Sequence, residues 1–155
     1  MTAAVAALSL TACGAGPPSP ESVARAWSHA INTDDNDTAG SLFAKGAEVV
    51  QPDYFKRLQT HADAVAWNAA LPCSGEIVSV KSEGEDVTVT FRLGDRPSSA
   101  CDGPGARVRA LFRVHDGKIV LFHQLGTLSQ PGTSVAEPMV RPPAPSFAAA
   151  SIQRS

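Results

Sequence analysis

DVTVTFRL, residues 86–93, sets Val87, Val89, Phe91 and Leu93 on one side of an extended chain and Thr88, Thr90 and Arg92 on the other. Side chains alternate faces along a strand, so the stretch reads as a β-strand with one dry and one wet face. The same period runs through EIVSVKS (76–82), RVRALFRV (107–114) and KIVLFHQL (118–125). Gly84-Glu85-Asp86 and Asp116-Gly117 supply tight turns between neighbours, and PSSACDGPG (97–105) is a longer loop between the middle pair. In the last strand Ile119 and Leu121 share one face and Val120 and Phe122 the other, so both faces are apolar and both ask for cover.

Upstream the period changes. Ser19-Pro20 marks a helix start, and Val23, Trp27, Ala30 and Ile31 fall on one apolar stripe. TDDND (33–37) interrupts that helix and caps a second, shorter one, expected to run through Leu42 and Phe43 and to end at Gly46. AEVVQ (47–51) reads as a short strand stopped by Pro52, and residues 53–58 as an irregular connector. Thr60 with Asp63 is a cap signature for a third helix, HADAVAWNAAL (61–71), which Pro72 ends. Helices first and strands last give an α+β chain with three N-terminal helices and a mostly antiparallel sheet.

At 155 residues the chain is long enough for one core and short for two. Thirteen Lys plus Arg against fifteen Asp plus Glu leave no surplus of either sign, and the basic residues are scattered, so nucleic acid is excluded as an expected partner. No run of about 18 or more apolar residues occurs, the length that a membrane-spanning helix needs. Thr2 to Leu10, TAAVAALSL, is apolar and uncharged like the core of an export signal. Leu10-Thr11-Ala12-Cys13 follows and resembles the lipobox of bacterial lipoproteins. That resemblance implies cleavage before Cys13, a diacylglycerol thioether on its sulfur, and a chain held at the extracytoplasmic face of the cell membrane. Because no Lys or Arg precedes the apolar run, the natural start is expected upstream. Residues 1–12 are thus read as an export-signal remnant, 13–19 as lipidated cysteine and tether, 20–126 as the domain, and 127–155 as a disordered Pro/Ala/Ser-rich tail. The Ala, Pro and Gly content fits a GC-rich bacterium and is compatible with an actinobacterial source.

Three cysteines leave an odd one in an exported chain. With Cys13 lipidated, Cys73 and Cys101 remain as a pair that an oxidising envelope lets close; two small buried thiols are the alternative. Neither has a second Cys or a His at ligand-like spacing, so no metal is expected.

Together VARAWSHAINTDDNDTAGSLFAKGAEVVQP (23–52) and FRVHDGKIVLFHQL (112–125) resemble the nuclear transport factor 2-like, or SnoaL-like, domain superfamily. Its members open with two helices flanking an Asp-rich break before an LFA-type helix end and a strand, and they close on such a hairpin. The resemblance covers residues 20–126 and implies a curved sheet wrapped around a long helix, a cone whose open end is a pocket. It leaves function open, because this fold carries isomerases, cyclases, hydrolases, dehydratases and non-catalytic binding or dimerisation modules. Its ketosteroid isomerases use an Asp base near the end of the first strand, helped by a Tyr and a protonated Asp. Those positions match Gln51, Trp27 and about Ala110 here, where Gln51 cannot take a proton and Ala110 cannot donate a hydrogen bond.

Other acid–base candidates are Asp53 and Tyr54, just past the first strand near the expected mouth, and His123 on the last strand. His123 shares a parity with Ile119 and Leu121, so it faces either the cone or the outer sheet surface. His61 and His115 are further imidazoles, and His115, beside the Asp116-Gly117 turn, is expected in solvent. Trp27, Trp67, Phe91 and Phe112, with His123, line the pocket if the cone is hollow and fill a core if it is not. No Walker-type loop and no nucleophile elbow occurs, and no cofactor is expected. The leading reading is an envelope-anchored, non-catalytic domain that binds an apolar small molecule or another envelope protein. A SnoaL-like enzyme on an apolar polycyclic substrate and a homodimer packed through the outer sheet face are the alternatives.

Overall fold

The computed structural model describes residues 16–128. The export segment, Cys13 and residues 129–155 lie outside the described residues.

Ser19 opens α1 (Pro20–Asn32) by accepting the Ser22 N–H at 3.2 Å, and Pro20 sits in the first turn, where a missing N–H costs nothing. Val23, Trp27, Ala30 and Ile31 turn their stripe to the core. Asp34, at a φ of 56°, breaks the helix, and Asp35 caps α2 (Asn36–Ser41) by accepting the Thr38 N–H at 3.0 Å. Here the structure departs from the expected helix through Phe43. β1 (Phe43–Gln51) already begins there, with Phe43 paired to Ile119. Gly46 lies inside that strand, where its φ of 81° accompanies a register shift between Phe43 and Glu48. A glycine at positive φ serves a helix end and a β-bulge equally well.

The expected connector at 53–58 is also a strand. β2 (Tyr54–Leu58) runs antiparallel to β1. Adjacent charges hide its alternation: Lys56 turns toward the helices to meet Asp63 at 3.1 Å, while Arg57 pairs with Glu48 on the other face. A complete Thr60/Asp63 capping box starts α3 (His61–Ala69), which stops short of Leu71.

β3 (Ser74–Glu83), β4 (Asp86–Gly94), β5 (Arg107–His115) and β6 (Lys118–Leu128) follow as antiparallel neighbours, and β6 runs past the expected boundary at 126. The six-stranded sheet has the order β2-β1-β6-β5-β4-β3, and β1 pairs with β6 in parallel. Helix and sheet side chains, among them Trp27, Trp67, Val89, Phe112 and Phe122, meet in one core.

β6 carries a bulge between the pairs Val114–Ile119 and Arg113–Leu121. Ile119, 0% exposed, and Phe122, 5% exposed, therefore both face the core although they differ in parity. The expected common face for Ile119, Leu121 and His123 is corrected by that one inserted residue: Leu121 and His123 turn to the opposite side of the sheet.

Cys73, which follows α3, and Cys101, in the β4–β5 loop, form a disulfide with Cα atoms 4.5 Å apart. Closing a loop of this size contributes about 3–4 kcal/mol in the chain-entropy account. Reduction is expected to lower the melting temperature by roughly 10 °C, read by calorimetry with and without reductant. An unchanged melting curve would mean that the two sulfurs are not bonded.

Candidate functional site

The β4–β5 loop carries the most buried charge among the described residues. The Arg96 side chain is 1% exposed. Its Nε donates to Asp34 Oδ1 at 2.6 Å, Nη1 to the Asn68 and Leu71 carbonyls at 2.8 and 3.0 Å, and Nη2 to Asn36 Oδ1 at 2.7 Å. A planar guanidinium serves all these acceptors at once, which a lysine ammonium does not. The α1–α2 turn, the end of α3 and the disulfide loop are thereby joined at one group. Burial pushes the Asp34 carboxyl up, but hydrogen bonds from Ser98 and Arg96 and the charge of Arg96 outweigh it and hold the group below its ordinary value.

The residues that leave α3 under this clamp border a cavity of about 270 Å³ between α1 and the sheet. Trp27, Phe91, Phe122, Val108 and Ala110 supply apolar walls, and Leu71 and Pro72 come from the end of α3. Trp27 is oriented by Nε1, which donates to Oδ1 of the fully buried Asn68 at 2.8 Å. Phe112 and Trp67 stand behind the walls. The Phe112 ring meets Trp27 and Phe122 edge-on, each at 5.2 Å between centroids, and Trp67 meets Phe122 at 5.0 Å.

Polar lining groups fall in two sets. Ser28 Oγ and Asn32 Nδ2 each donate to the Gly75 carbonyl at 3.1 Å, and the Gly75 N–H donates to Asn32 Oδ1 at 2.9 Å. A Cβ at position 75 would lie 3.0 Å from the Phe91 ring, so glycine here leaves room for that ring on the neighbouring strand β4. On the neighbouring strands β1 and β6, Gln51 Nε2 donates to Gln124 Oε1 at 3.0 Å. Asp102, exposed on the disulfide loop, is the only carboxylate among the lining residues; no Lys, Arg or His joins them, and Cys73 is oxidised. The site thus offers apolar contact and neutral hydrogen bonds.

Gln51, Trp27 and Ala110, matched above to the isomerase base, tyrosine and second acid, all line this one cavity. Of the residues expected to form a pocket, Trp27 and Phe91 meet there, Trp67 and Phe112 form the layer behind, and His123 lies on the opposite face in register with Val50 and Leu111. Asp53 is exposed in the β1–β2 turn. Tyr54, 44% exposed, lines a neighbouring depression that shares Gln51, Leu71 and Pro72 with the cavity. Gln124 escaped the sequence reading because the β6 bulge reverses its parity. His115 is exposed near the β5–β6 turn, 2.6 Å from Glu85, whose hydrogen bond, with the charges of Asp116 and Glu85, raises its pKa. Cys73, Cys101 and Asp102 bring metal-binding atom types together, but the disulfide leaves no thiolate to ligate an ion.

Helices over one face of a mixed six-stranded sheet, with a cavity between, define an α+β fold of the nuclear transport factor 2 type. The family model for the SnoaL-like domain matches residues 24–122, and the chain belongs to that family. Among solved structures it is similar to a Catenulispora acidiphila protein with a ketosteroid isomerase-like fold, in complex with trimethylamine (20% identity, TM-score 0.58, covering 72% of this chain and 89% of that one). A Sinorhizobium meliloti protein provisionally designated a polyketide cyclase has 18% identity and a TM-score of 0.54, covering 66% and 93%. A Kribbella flavida protein provisionally designated a ketosteroid isomerase has 19% identity and a TM-score of 0.54, covering 81% and 90%. At these identities the likeness is one of fold. No curated protein matches the chain.

Arg96→Ala leaves several buried acceptors and the Asp34 carboxylate without their partner, and it is expected to cost about 3–5 kcal/mol in urea denaturation. A loss under about 1 kcal/mol, the scale of a surface pair, would contradict the clamp. Because the folded Asp34 carboxyl lies below its unfolded value, its contribution is complete above about pH 4 and falls away as pH drops through the lowered folded value. Asp34→Asn should therefore flatten the acid limb of the stability profile relative to the parent.

Proposed function

We propose that the domain is a non-catalytic binding module for a small apolar molecule, carried at the extracytoplasmic face of the cell membrane by a lipid on Cys13. The observation that carries the reading is the make-up of the cavity. Gln51, Trp27 and Ala110 match, by resemblance, the positions of the isomerases' proton-transfer groups, and beyond the exposed Asp102 carboxylate the other lining residues add neither imidazole nor amine nor free thiol. Apolar walls favour burial of an apolar ligand at about 25 cal/mol per Å² removed from water. The cavity's 270 Å³ falls below the roughly 300–1,000 Å³ of sites for drug-sized ligands, which favours one or two rings over a tetracyclic skeleton. The trimethylamine complex of the Catenulispora relative supports small-molecule binding on this fold.

The anchor rests on the lipobox resemblance and on the spacer GAGPPS before α1. Two acyl chains on one cysteine suffice for stable attachment. With the natural upstream sequence restored, the chain is expected in the membrane fraction with a diacylglycerol mass on Cys13. Cys13→Ala should leave it unlipidated; an unmodified parent chain would contradict the anchor.

Two further readings have their own observations. A SnoaL-like enzyme would draw an acid–base group from the rim, where Tyr54 lines a depression that shares Gln51 with the cavity. A homodimer would cover the outer sheet face, where Phe55 is 61% and Leu125 40% exposed.

Ala110→Leu grows into the cavity and is expected to abolish the rise in melting temperature that a small neutral aromatic compound gives the parent. His123→Ala, on the opposite face, should leave that rise intact. Loss of ligand stabilisation in His123→Ala with retention in Ala110→Leu would move the site out of the cavity.

A further inference from the structure

The geometry points to a ligand class: a small cyclic compound that presents a neutral amide-type edge, such as a primary carboxamide, a lactam or an imide. This inference rests on the binding reading above and adds the chemistry of the ligand's polar end.

The first step asks which lining groups have hydrogen-bonding capacity left. Ser28 and both ends of the Asn32 amide are tied to the Gly75 backbone, which leaves one Asn32 N–H and the Ser28 oxygen to spare, and Ser74 Oγ donates to the Asp95 carbonyl at 2.7 Å. Gln51 and Gln124 share one hydrogen bond at 3.0 Å and are both half-buried. Each carboxamide brings one carbonyl acceptor and two N–H donors. One bond between them leaves one carbonyl oxygen and the N–H groups of the other amide. The sum is the same if both amides are turned over, because the donor and acceptor simply exchange strands. The pair therefore presents both an acceptor and a donor, set among Trp27, Phe122 and Ala110.

The second step asks what satisfies that edge. A hydrocarbon displaces water from it and returns no hydrogen bond, which is costly for polar groups in a dry site. A ketone or ether meets only the donor. A carboxylate finds no cation among the lining residues, and the one charge there is the carboxylate of Asp102. A cationic amine finds only that carboxylate, exposed to solvent on the disulfide loop, and leaves the carboxamide N–H groups unmet. An uncharged group with adjacent C=O and N–H matches both halves of the pair, and its ring occupies the apolar space.

The test titrates benzamide, acetophenone and isopropylbenzene into the full-length ¹⁵N-labelled chain. The three share a shape and offer donor plus acceptor, acceptor alone, and neither. Benzamide is expected to shift the side-chain amide resonances of Gln51 and Gln124. Its affinity relative to acetophenone should fall by about tenfold or more in the Gln51→Leu/Gln124→Leu chain. If all three bind but neither the glutamine resonances nor the benzamide preference responds, the amide edge is overturned while the binding cavity stands. If none of the three binds, the binding reading fails and takes this inference with it. Should the double variant fail to fold, the two glutamine resonances of the parent chain decide the matter alone.

Discussion

A single guanidinium holds together the α1–α2 junction, the last turn of α3 and the β4–β5 loop. Arg96 reaches the α1–α2 turn through Asp34 and Asn36, the end of α3 through the Asn68 and Leu71 carbonyls, and its own loop through the backbone bridge to Ser99. Buried charge of this kind is costly to desolvate, so it persists where its geometry is satisfied in full. Its consequence reaches the cavity by two routes. Asn68 orients the Trp27 ring, and Leu71, Pro72 and Cys73 pass directly from the clamped end of α3 into the cavity border. The Cys73–Cys101 bond fastens the same loop a second time by covalent means.

Against that frame, two local irregularities decide what the cavity contains. The β6 bulge sets Phe122 and Gln124 inward and sends His123 out, exchanging a titratable imidazole for a neutral amide. Gly75, which leaves room for the Phe91 ring, meets Ser28 and Asn32 of α1 with its backbone carbonyl and N–H. What remains is an aromatic enclosure with polar capacity concentrated at the Gln51–Gln124 pair. The family's fold is kept, and the positions that resemble the isomerases' proton-transfer sites hold Gln51, Trp27 and Ala110.

Much of this was legible beforehand. The alternation of Val87, Val89, Phe91 and Leu93, the Ser19-Pro20 start and the Thr60/Asp63 cap all act through local rules, and each element formed where those rules place it. The failures share a different cause. Gly46 satisfies a bulge and a helix end alike, and only its pairing with distant β6 decides between them. β2 conceals its period because Lys56 and Arg57 answer to separate partners, Asp63 and Glu48. Arg96, in a loop of Pro, Ser and Gly, looks like a solvated residue until acceptors from two distant segments converge on it. For the site, Gln51 and Trp27 were placed by resemblance, whereas Gln124 depends on a one-residue register shift that no local pattern announces.

If the cavity binds by neutral contact, as proposed, its affinity is independent of pH around neutrality. The affinity of the full-length chain for benzamide would be measured by calorimetry from about pH 5.5 to 9, the range in which imidazoles, free thiols and some buried amines titrate. A constant dissociation constant is expected across that range, because the lining contains none of those groups in a form that titrates. A step in affinity with a midpoint near neutrality would place a titrating group in contact with the ligand. That result would overturn the neutral binding site and return the chain to acid–base chemistry.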